Sequence, residues 1–167
     1  MKEPVELIDE ILKAHATIAQ DTQGACSDAT ALTKLSHADK DFSPGRLDRA
    51  AGIKKLQSTI ERCDAGVAEH FAEEETALLE VFKSHGDDKL MSDFHTLLKQ
   101  HKELKGRFTE AKSRVDKLAS KEIPGGHWNS TANDLLTYMN KTRKLIEDHA
   151  STEDKLFREL QSALNNG

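Results

Sequence analysis

The chain has 167 residues, of which 37% are hydrophobic and 32% are charged, and its formal net charge is −5 at pH 7. This length fits a single domain over residues 1–167, and the negative charge argues against a general nucleic-acid-binding surface. No stretch approaches the roughly 18 apolar residues that a membrane-spanning helix needs, and the acidic N-terminal segment differs from the basic start of a signal peptide. We therefore expect a cytoplasmic protein without nucleic-acid or membrane partners.

The first two predicted helices carry apolar residues at alternating steps of three and four, which is the period of a helix with one buried face. The first begins near Pro4, a residue suited to a first helical turn, and could break at Gly24. Its stripe is Ile8, Ile11, His15, Ile18, Thr22, Ala25, Ala29 and Leu32. The second begins at the capping pair Ser43-Pro44 and ends near His85-Gly86. Its stripe is Ile53, Leu56, Ile60, Cys63, Val67, His70, Glu74, Leu78 and Val81.

The third and fourth predicted helices show the same period. The third starts around Asp87, and the breakers Ile123-Pro124-Gly125-Gly126 follow it. Its stripe is Leu90, Phe94, Leu97, His101, Leu104, Phe108, Ala111, Val115 and Leu118. The fourth opens near Asn129 or Ser130, with the stripe Leu135, Met139, Ile146, His149, Glu153, Leu156 and Leu160. Short connections favour antiparallel neighbours, so we predict an all-α, antiparallel up-down-up-down four-helix bundle.

Six polar residues interrupt these stripes at positions where a bundle normally has leucine or isoleucine. They are His15, His70, Glu74, His101, His149 and Glu153. Burying such side chains costs several kcal/mol unless they are paired or bind a metal. With a rise of about 1.5 Å per residue, all six fall within one layer of the bundle roughly 8 Å deep. Four imidazoles and two carboxylates at one level predict a metal site, and a buried polar network without metal is the alternative.

The types of ligand narrow the choice of metal. Imidazole with carboxylate suits iron, manganese or zinc, and the isolated Cys26 and Cys63 offer no structural zinc site. Glu74 and Glu153 lie symmetrically on the second and fourth predicted helices, an arrangement suited to bridging two metal ions. The Glu-x-x-His pairs of ferritin-like proteins and the HExxH motif are both missing. Three other histidines are expected to be solvent-exposed: His85, His95 and His127.

Four segments carry these polar residues: His15, His70-Phe71-Ala72-Glu73-Glu74, His101-Lys102-Glu103-Leu104 and His149-Ala150-Ser151-Thr152-Glu153-Asp154. Together they resemble the hemerythrin-like (HHE cation-binding) family over nearly the whole chain. The resemblance implies a hemerythrin-like bundle with two non-haem iron ions, bridged by carboxylates and by an oxo or hydroxo group. It implies Glu74 and Glu153 as the bridging ligands. The implied terminal ligands are His15, His70, His101 and His149.

Two positions differ from the invertebrate oxygen carriers of that family. Those proteins have a second histidine on the third helix, where this chain has Leu97, and their last carboxylate corresponds to Asp154 rather than Glu153. In both respects the chain is more similar to the bacterial group that includes the iron-centre repair proteins. His37 resembles an extra histidine of that group and is a candidate additional metal ligand. It could reach the metals only if the first helix breaks near Gly24.

The resemblance and the residues together lead us to expect a non-haem di-iron protein that binds or responds to O₂, NO or peroxide, in sensing, storage or redox protection. Apolar neighbours would limit water access to the open metal positions. These neighbours are Ile11, Ile18, Val67, Phe94, Phe108 and Ile146. The alternatives are iron-centre repair or iron donation to iron–sulfur proteins, and a metal-free helical interaction module. No pattern of catalytic residues is present, so a binding role is expected rather than an enzymatic one.

Overall fold

The computed structural model describes residues 2–35, 44–120, 123 and 127–166. These residues form α1 (Pro4–Thr33), α2 (Pro44–Glu73), a π-helical turn (Glu74–Leu78), α3 (Leu79–His85), α4 (Asp88–Ala119) and α5 (Trp128–Asn166). Because α2, the π turn and α3 follow one another without interruption, they make one long rod. The described part of the chain therefore contains the four rods that the sequence predicted. Among the described helices, none is long and apolar enough to cross a membrane.

Local sequence signals set where two of the helices begin. Pro4 is the first residue of α1, where a backbone N–H would have no helical partner and its absence costs little. At the start of α4, the Oδ1 atom of Asp87 accepts a hydrogen bond from the backbone N–H of Leu90 at 2.8 Å. Gly24 does not interrupt α1, so the break considered for this helix is not found. His37, the candidate additional ligand, lies outside the described residues.

Contacts between helices show that neighbouring rods run antiparallel. From Asp9 to His15 the residue numbers on α1 rise, while those of their partners on α5 fall from Gln161 to Asp154. The two helices therefore run in opposite directions. The other neighbouring rods follow the same rule through His15–His70, Asp28–Thr59, Gln57–Asp116, Asp64–Lys112, Gln100–His149 and Arg107–Thr142. The predicted all-α, up-down-up-down architecture is confirmed.

The π turn changes the core face of the second rod from the one predicted. The sequence stripe passes from Leu78 to Val81, but the structure buries Phe82 completely and leaves Val81 only partly buried. A π turn holds more residues per turn than an α-helix, so it delays the rotation of the buried face by about one residue. Phe82 consequently takes the core position. The turn begins at Glu74, one of the six polar residues in the stripes.

The hydrophobic core forms two clusters, one on each side of the polar residues. The larger cluster includes Phe108 and Met139, and the smaller one, towards the start of α1, includes Ile8 and Phe82. The predicted apolar neighbours of the site divide between them, with Ile18, Val67, Phe108 and Ile146 in the larger and Ile11 and Phe94 in the smaller. A polar layer is thus enclosed above and below by apolar side chains, which limits the access of water to it.

Candidate metal centre

The six predicted polar residues meet in one layer of the bundle. They are supplied by α1 (His15), α2 (His70), the first residue of the π turn (Glu74), α4 (His101) and α5 (His149 and Glu153). Glu74 and Glu153 have 0% and 1% of their surface exposed, so the two carboxylates are enclosed by protein. Three of the histidines are also buried, and His15 retains 9% exposure of its side chain. The structure therefore brings together every described residue that the sequence predicted for the site.

The potential donor atoms form two clusters that share both carboxylates. The first consists of His15, His70, Glu74 and Glu153, and the second of His101, His149, Glu74 and Glu153. In each cluster, one donor atom from every residue lies within 4.8 Å of the others. A carboxylate has two oxygens, so Glu74 and Glu153 can serve both clusters, and each cluster offers four donors to a metal ion.

The second ring nitrogen of three histidines contacts an acceptor outside the layer. The contacts are His15 Nδ1 to Asp154 Oδ1 at 2.7 Å, His101 Nδ1 to Glu75 Oε1 at 2.9 Å, and His149 Nδ1 to Gln100 Oε1 at 2.7 Å. Because carboxylate and amide oxygens can only accept, Nδ1 of each ring carries the proton. In the neutral ring, Nε2 is then left with a lone pair directed towards the layer, which is the form that binds a metal.

The close approaches inside the layer have too few protons to turn all of them into hydrogen bonds. Nε2 of His15 and Nε2 of His70 are only 3.1 Å apart, and Glu74 Oε2 lies 2.9 Å from Nε2 of His101. The buried atoms without a hydrogen-bond partner are His70 Nδ1, Glu74 Oε1 and Oε2, His101 Nε2, His149 Nε2 and Glu153 Oε2. Each such atom costs about 1–3 kcal/mol when it is left unpaired. Bound cations would satisfy most of them together, so the residues present fit a metal centre.

Comparison with known proteins identifies the family. The hemerythrin HHE cation-binding domain family matches residues 6–160, a range that includes the whole layer. The chain belongs to this family. No curated protein and no solved structure gave a significant match. The family resemblance predicted from the four sequence segments is confirmed, and with it the assignment of a cation-binding, hemerythrin-like helical bundle.

The two carboxylates of this HHE domain titrate as a pair. Burial raises the pKa of Glu74 well above its usual range, and the neighbouring Glu153 raises it further. Burial also acts to raise the pKa of Glu153, but the neighbouring side chains of Glu74, His149, His15 and His70 outweigh it and hold that pKa well below its usual range. Without a cation, the two carboxylates therefore keep one proton between them. A bound cation would displace this proton, so metal binding is coupled to proton release.

The outer acceptors Glu75, Asp154 and Gln100 were missed as site residues in the sequence analysis. Glu75 and Asp154 each follow a layer carboxylate directly, and this pairing of acids is the signal that could have identified them. Gln100 has no comparable signal, because it is exposed and lies beside His101 rather than next to the histidine that it binds.

The residues that the sequence analysis left outside the site remain outside it. His85, His95 and His127 are exposed. Cys26 and Cys63 are free and buried, and neither belongs to a donor cluster. Leu97, at the position of the second helix-three histidine of the oxygen carriers, is buried in the smaller apolar cluster. No histidine therefore adds to the layer from that position of α4.

Proposed function

We propose that the two clusters hold two iron ions and that the protein binds or responds to a small ligand, either O₂, NO or peroxide. The observation that carries the proposal is the pair of two-histidine clusters that share two buried carboxylates. In this proposal Glu74 and Glu153 bridge the ions, and His15, His70, His101 and His149 are terminal ligands. Manganese and zinc also accept this ligand set, so metal analysis is part of the test.

Counting ligands indicates why a small molecule could bind. If two octahedral ions bound here, the four histidines and two carboxylates would not fill all of their positions, which would leave room for solvent and for a small ligand. When bound, a pair of irons would supply these positions and could change oxidation state. The protein supplies the enclosure, because the apolar clusters above and below the layer keep bulk water away. Glu75, Gln100 and Asp154 hold three imidazoles in the orientation that directs Nε2 inwards.

The first experiment measures metal content and visible absorption for the wild-type chain and two matched variants. Glu74→Gln removes a buried shared carboxylate, whereas Glu80→Gln alters a carboxylate further along the same rod whose side chain is 72% exposed. We expect about two irons per chain for the wild type and for Glu80→Gln, and loss of the paired centre for Glu74→Gln. Equal metal content in all three proteins, or a wild type that takes up no iron, would contradict the proposed centre.

Ligand binding is then tested on the reduced, iron-loaded protein. Addition of NO or O₂ should change the visible spectrum of the wild type, and removal of the gas should reverse the change if the role is binding or sensing. Peroxide is tested in the same way, with its consumption measured separately. A centre that contains two irons but does not respond to any of the three molecules would contradict the ligand-binding role while leaving the metal assignment in place.

Iron-centre repair, or iron donation to iron–sulfur proteins, is the alternative function. It is motivated by sequence similarity at His37 and at the run Asp148–Phe157, and it requires iron that leaves the protein readily. Incubation with an apo iron–sulfur protein, followed by separation and metal analysis, distinguishes the two roles. Iron retained on this chain supports ligand binding, and iron transferred to the acceptor supports donation.

A further inference from the structure

A cavity of about 300 Å³ opens between α1 and α5 beside the metal centre. Apolar side chains from three rods form its walls: Ile18, Val67, Phe71 and Ile146. Its outer part is lined by exposed residues with small side chains, including Ala16, Ala19 and Ser151. A water molecule occupies about 30 Å³ in the liquid, so the space is large enough for a diatomic molecule to pass.

The cavity reaches the donor layer itself. Its lining includes His15, His70, His149 and Glu153. Three of these residues carry buried atoms without a hydrogen-bond partner, namely His70 Nδ1, His149 Nε2 and Glu153 Oε2. His101 does not line the cavity, and the ring of Phe71 stacks on it with the centroids 3.7 Å apart and the planes 2° from parallel. A molecule in the cavity would therefore approach the centre from the side of Glu153.

The charges around the cavity favour an uncharged occupant. The acids Glu147 and Asp154 also line it, and they bind Arg143 at 2.9 Å and His15 at 2.7 Å respectively. These carboxylates repel an anion, and an ion of either sign would lose hydration against the apolar walls. A neutral diatomic molecule meets neither cost. The lining therefore favours small uncharged molecules over ions as well as over larger molecules.

A second groove, between α1 and α2, also reaches His70 but has the opposite character. Its volume is about 300 Å³, and its lining contains four carboxylates: Glu10, Asp21, Glu69 and Glu73. Such a surface favours cations and bound water over an apolar gas. The two sides of α1 therefore present an apolar approach and an acidic approach to the same layer, and the acidic side offers a control of similar size.

We propose that the cavity between α1 and α5 is the route by which an uncharged diatomic molecule reaches the metal centre, and that the small side chain at Ala19 keeps its mouth open. This inference rests on the proposed ligand-binding function, since a route has a role only if a ligand binds. Ala19 lies one helical turn beyond His15 and does not belong to the donor clusters. A larger side chain at this position would narrow the mouth without removing a proposed ligand.

The test compares Ala19→Phe with Thr17→Phe in the reduced, iron-loaded protein. Thr17 is exposed on α1 like Ala19, but it lines the acidic groove. Stopped-flow absorbance with NO gives the association and dissociation rate constants of each variant. We expect Ala19→Phe to lower both constants by at least about tenfold, the factor that about 1.4 kcal/mol of additional barrier produces. The dissociation constant should stay unchanged, because a narrowed route slows entry and exit equally. Thr17→Phe should leave both rate constants unchanged.

Three outcomes would overturn the route. The first is unchanged rate constants for NO in Ala19→Phe. The second is slower NO binding in Thr17→Phe instead of in Ala19→Phe. The third is a larger dissociation constant in Ala19→Phe that comes from faster release alone. Iron content and the spectrum before NO addition are measured for each variant, so a disturbed centre is recognised separately.

Xenon provides a readout that does not depend on ligand binding at iron. Apolar cavities of this kind bind xenon, which can be located in crystals under gas pressure. Xenon between α1 and α5 in the wild type, and its exclusion in Ala19→Phe, would support the cavity as a gas-accessible space even if NO gave no spectral change. That combination would contradict the proposed function and not the access route. An empty cavity under xenon pressure would contradict the route.

Discussion

At the scale of single residues, the four histidines of the layer differ in what holds their second ring nitrogen. His15 and His101 donate Nδ1–H to carboxylates, His149 donates to the Gln100 amide, and Nδ1 of His70 has no partner. An anionic acceptor makes an imidazole a stronger donor to a metal than a neutral acceptor does. The two clusters are therefore chemically unequal, because His70 in the first has no acceptor for Nδ1, whereas His149 in the second has the neutral amide of Gln100.

The carboxylate of Asp154 should contribute to metal affinity although it lies outside the donor clusters. We expect Asp154→Ala to weaken metal binding by roughly 10–100-fold, since it removes the acceptor that orients His15. The matched control is Asp148→Ala, which removes an exposed carboxylate from the same helix. Competition with a chelator of known affinity measures both variants. Equal affinities for the two would show that the contact between His15 and Asp154 has no influence on the metals.

The buried thiols should be unreactive in the folded protein. Burial raises the pKa of Cys63 to about 12 and also raises the pKa of Cys26. Since only the thiolate reacts, its fraction at Cys63 near pH 8 is about 10⁻⁴, and both thiols are also sterically enclosed. A thiol-titrating reagent at pH 8 should detect no rapidly reacting cysteine in the native protein and two in denaturant. Rapid labelling of either thiol in the native state would contradict this burial.

At the scale of helices, the period of the apolar residues was sufficient to predict the rods and their inner faces. All nine predicted stripe residues of α4, from Leu90 to Leu118, are buried. The period worked because a bundle buries one continuous face of each helix. It failed at Val81, because periodicity assumes a constant number of residues per turn, and the π turn departs from that number. Packing of Phe82 against Phe94, with the centroids 4.1 Å apart, accompanies the shifted register.

The register set by the π turn can be measured through the stability of two alanine variants. Phe82→Ala should lower the free energy of unfolding by about 3–5 kcal/mol, because it leaves a cavity in the smaller apolar cluster. Val81→Ala should cost clearly less, since Val81 is only partly buried. Urea denaturation of both proteins under the same metal conditions makes the comparison. A greater loss of stability for Val81→Ala would show that the rod continues as an unbroken α-helix, with Val81 rather than Phe82 in the core.

The same helical period placed the six layer residues at one level, because three- and four-residue steps bring His70 above Glu74 and His149 above Glu153. It could not predict the outer acceptors, which depend on how exposed side chains turn back towards the histidines. Gln100 shows the limit clearly, since it binds a histidine 49 positions away on another helix. The level of the layer follows from helix geometry, whereas its outer contacts follow from side-chain conformations that the sequence does not encode in a simple pattern.

At the scale of the whole molecule, the polar layer lowers the free energy of unfolding unless a cation binds. The layer is the one region of the described core where lone pairs and carboxylates face each other without enough protons. The apolar clusters on either side contain none of the six layer residues. The fold should therefore persist without metal, at a lower stability, because the clusters hold the rods together while the layer opposes them.

This balance leads to a prediction about the variant His70→Leu/Glu74→Leu, which replaces two polar members of the first cluster by apolar residues of similar size. In the metal-free state the variant should be as stable as the wild type or more stable by roughly 1–4 kcal/mol, because unfavourable buried polar groups are removed. Metal should then stabilise only the wild type, by about 4 kcal/mol at a free concentration one thousand times the dissociation constant. Urea denaturation with chelator and with ferrous iron under anaerobic conditions gives the four values. A metal-free variant much less stable than the metal-free wild type would show instead that the polar layer stabilises the bundle without any cation.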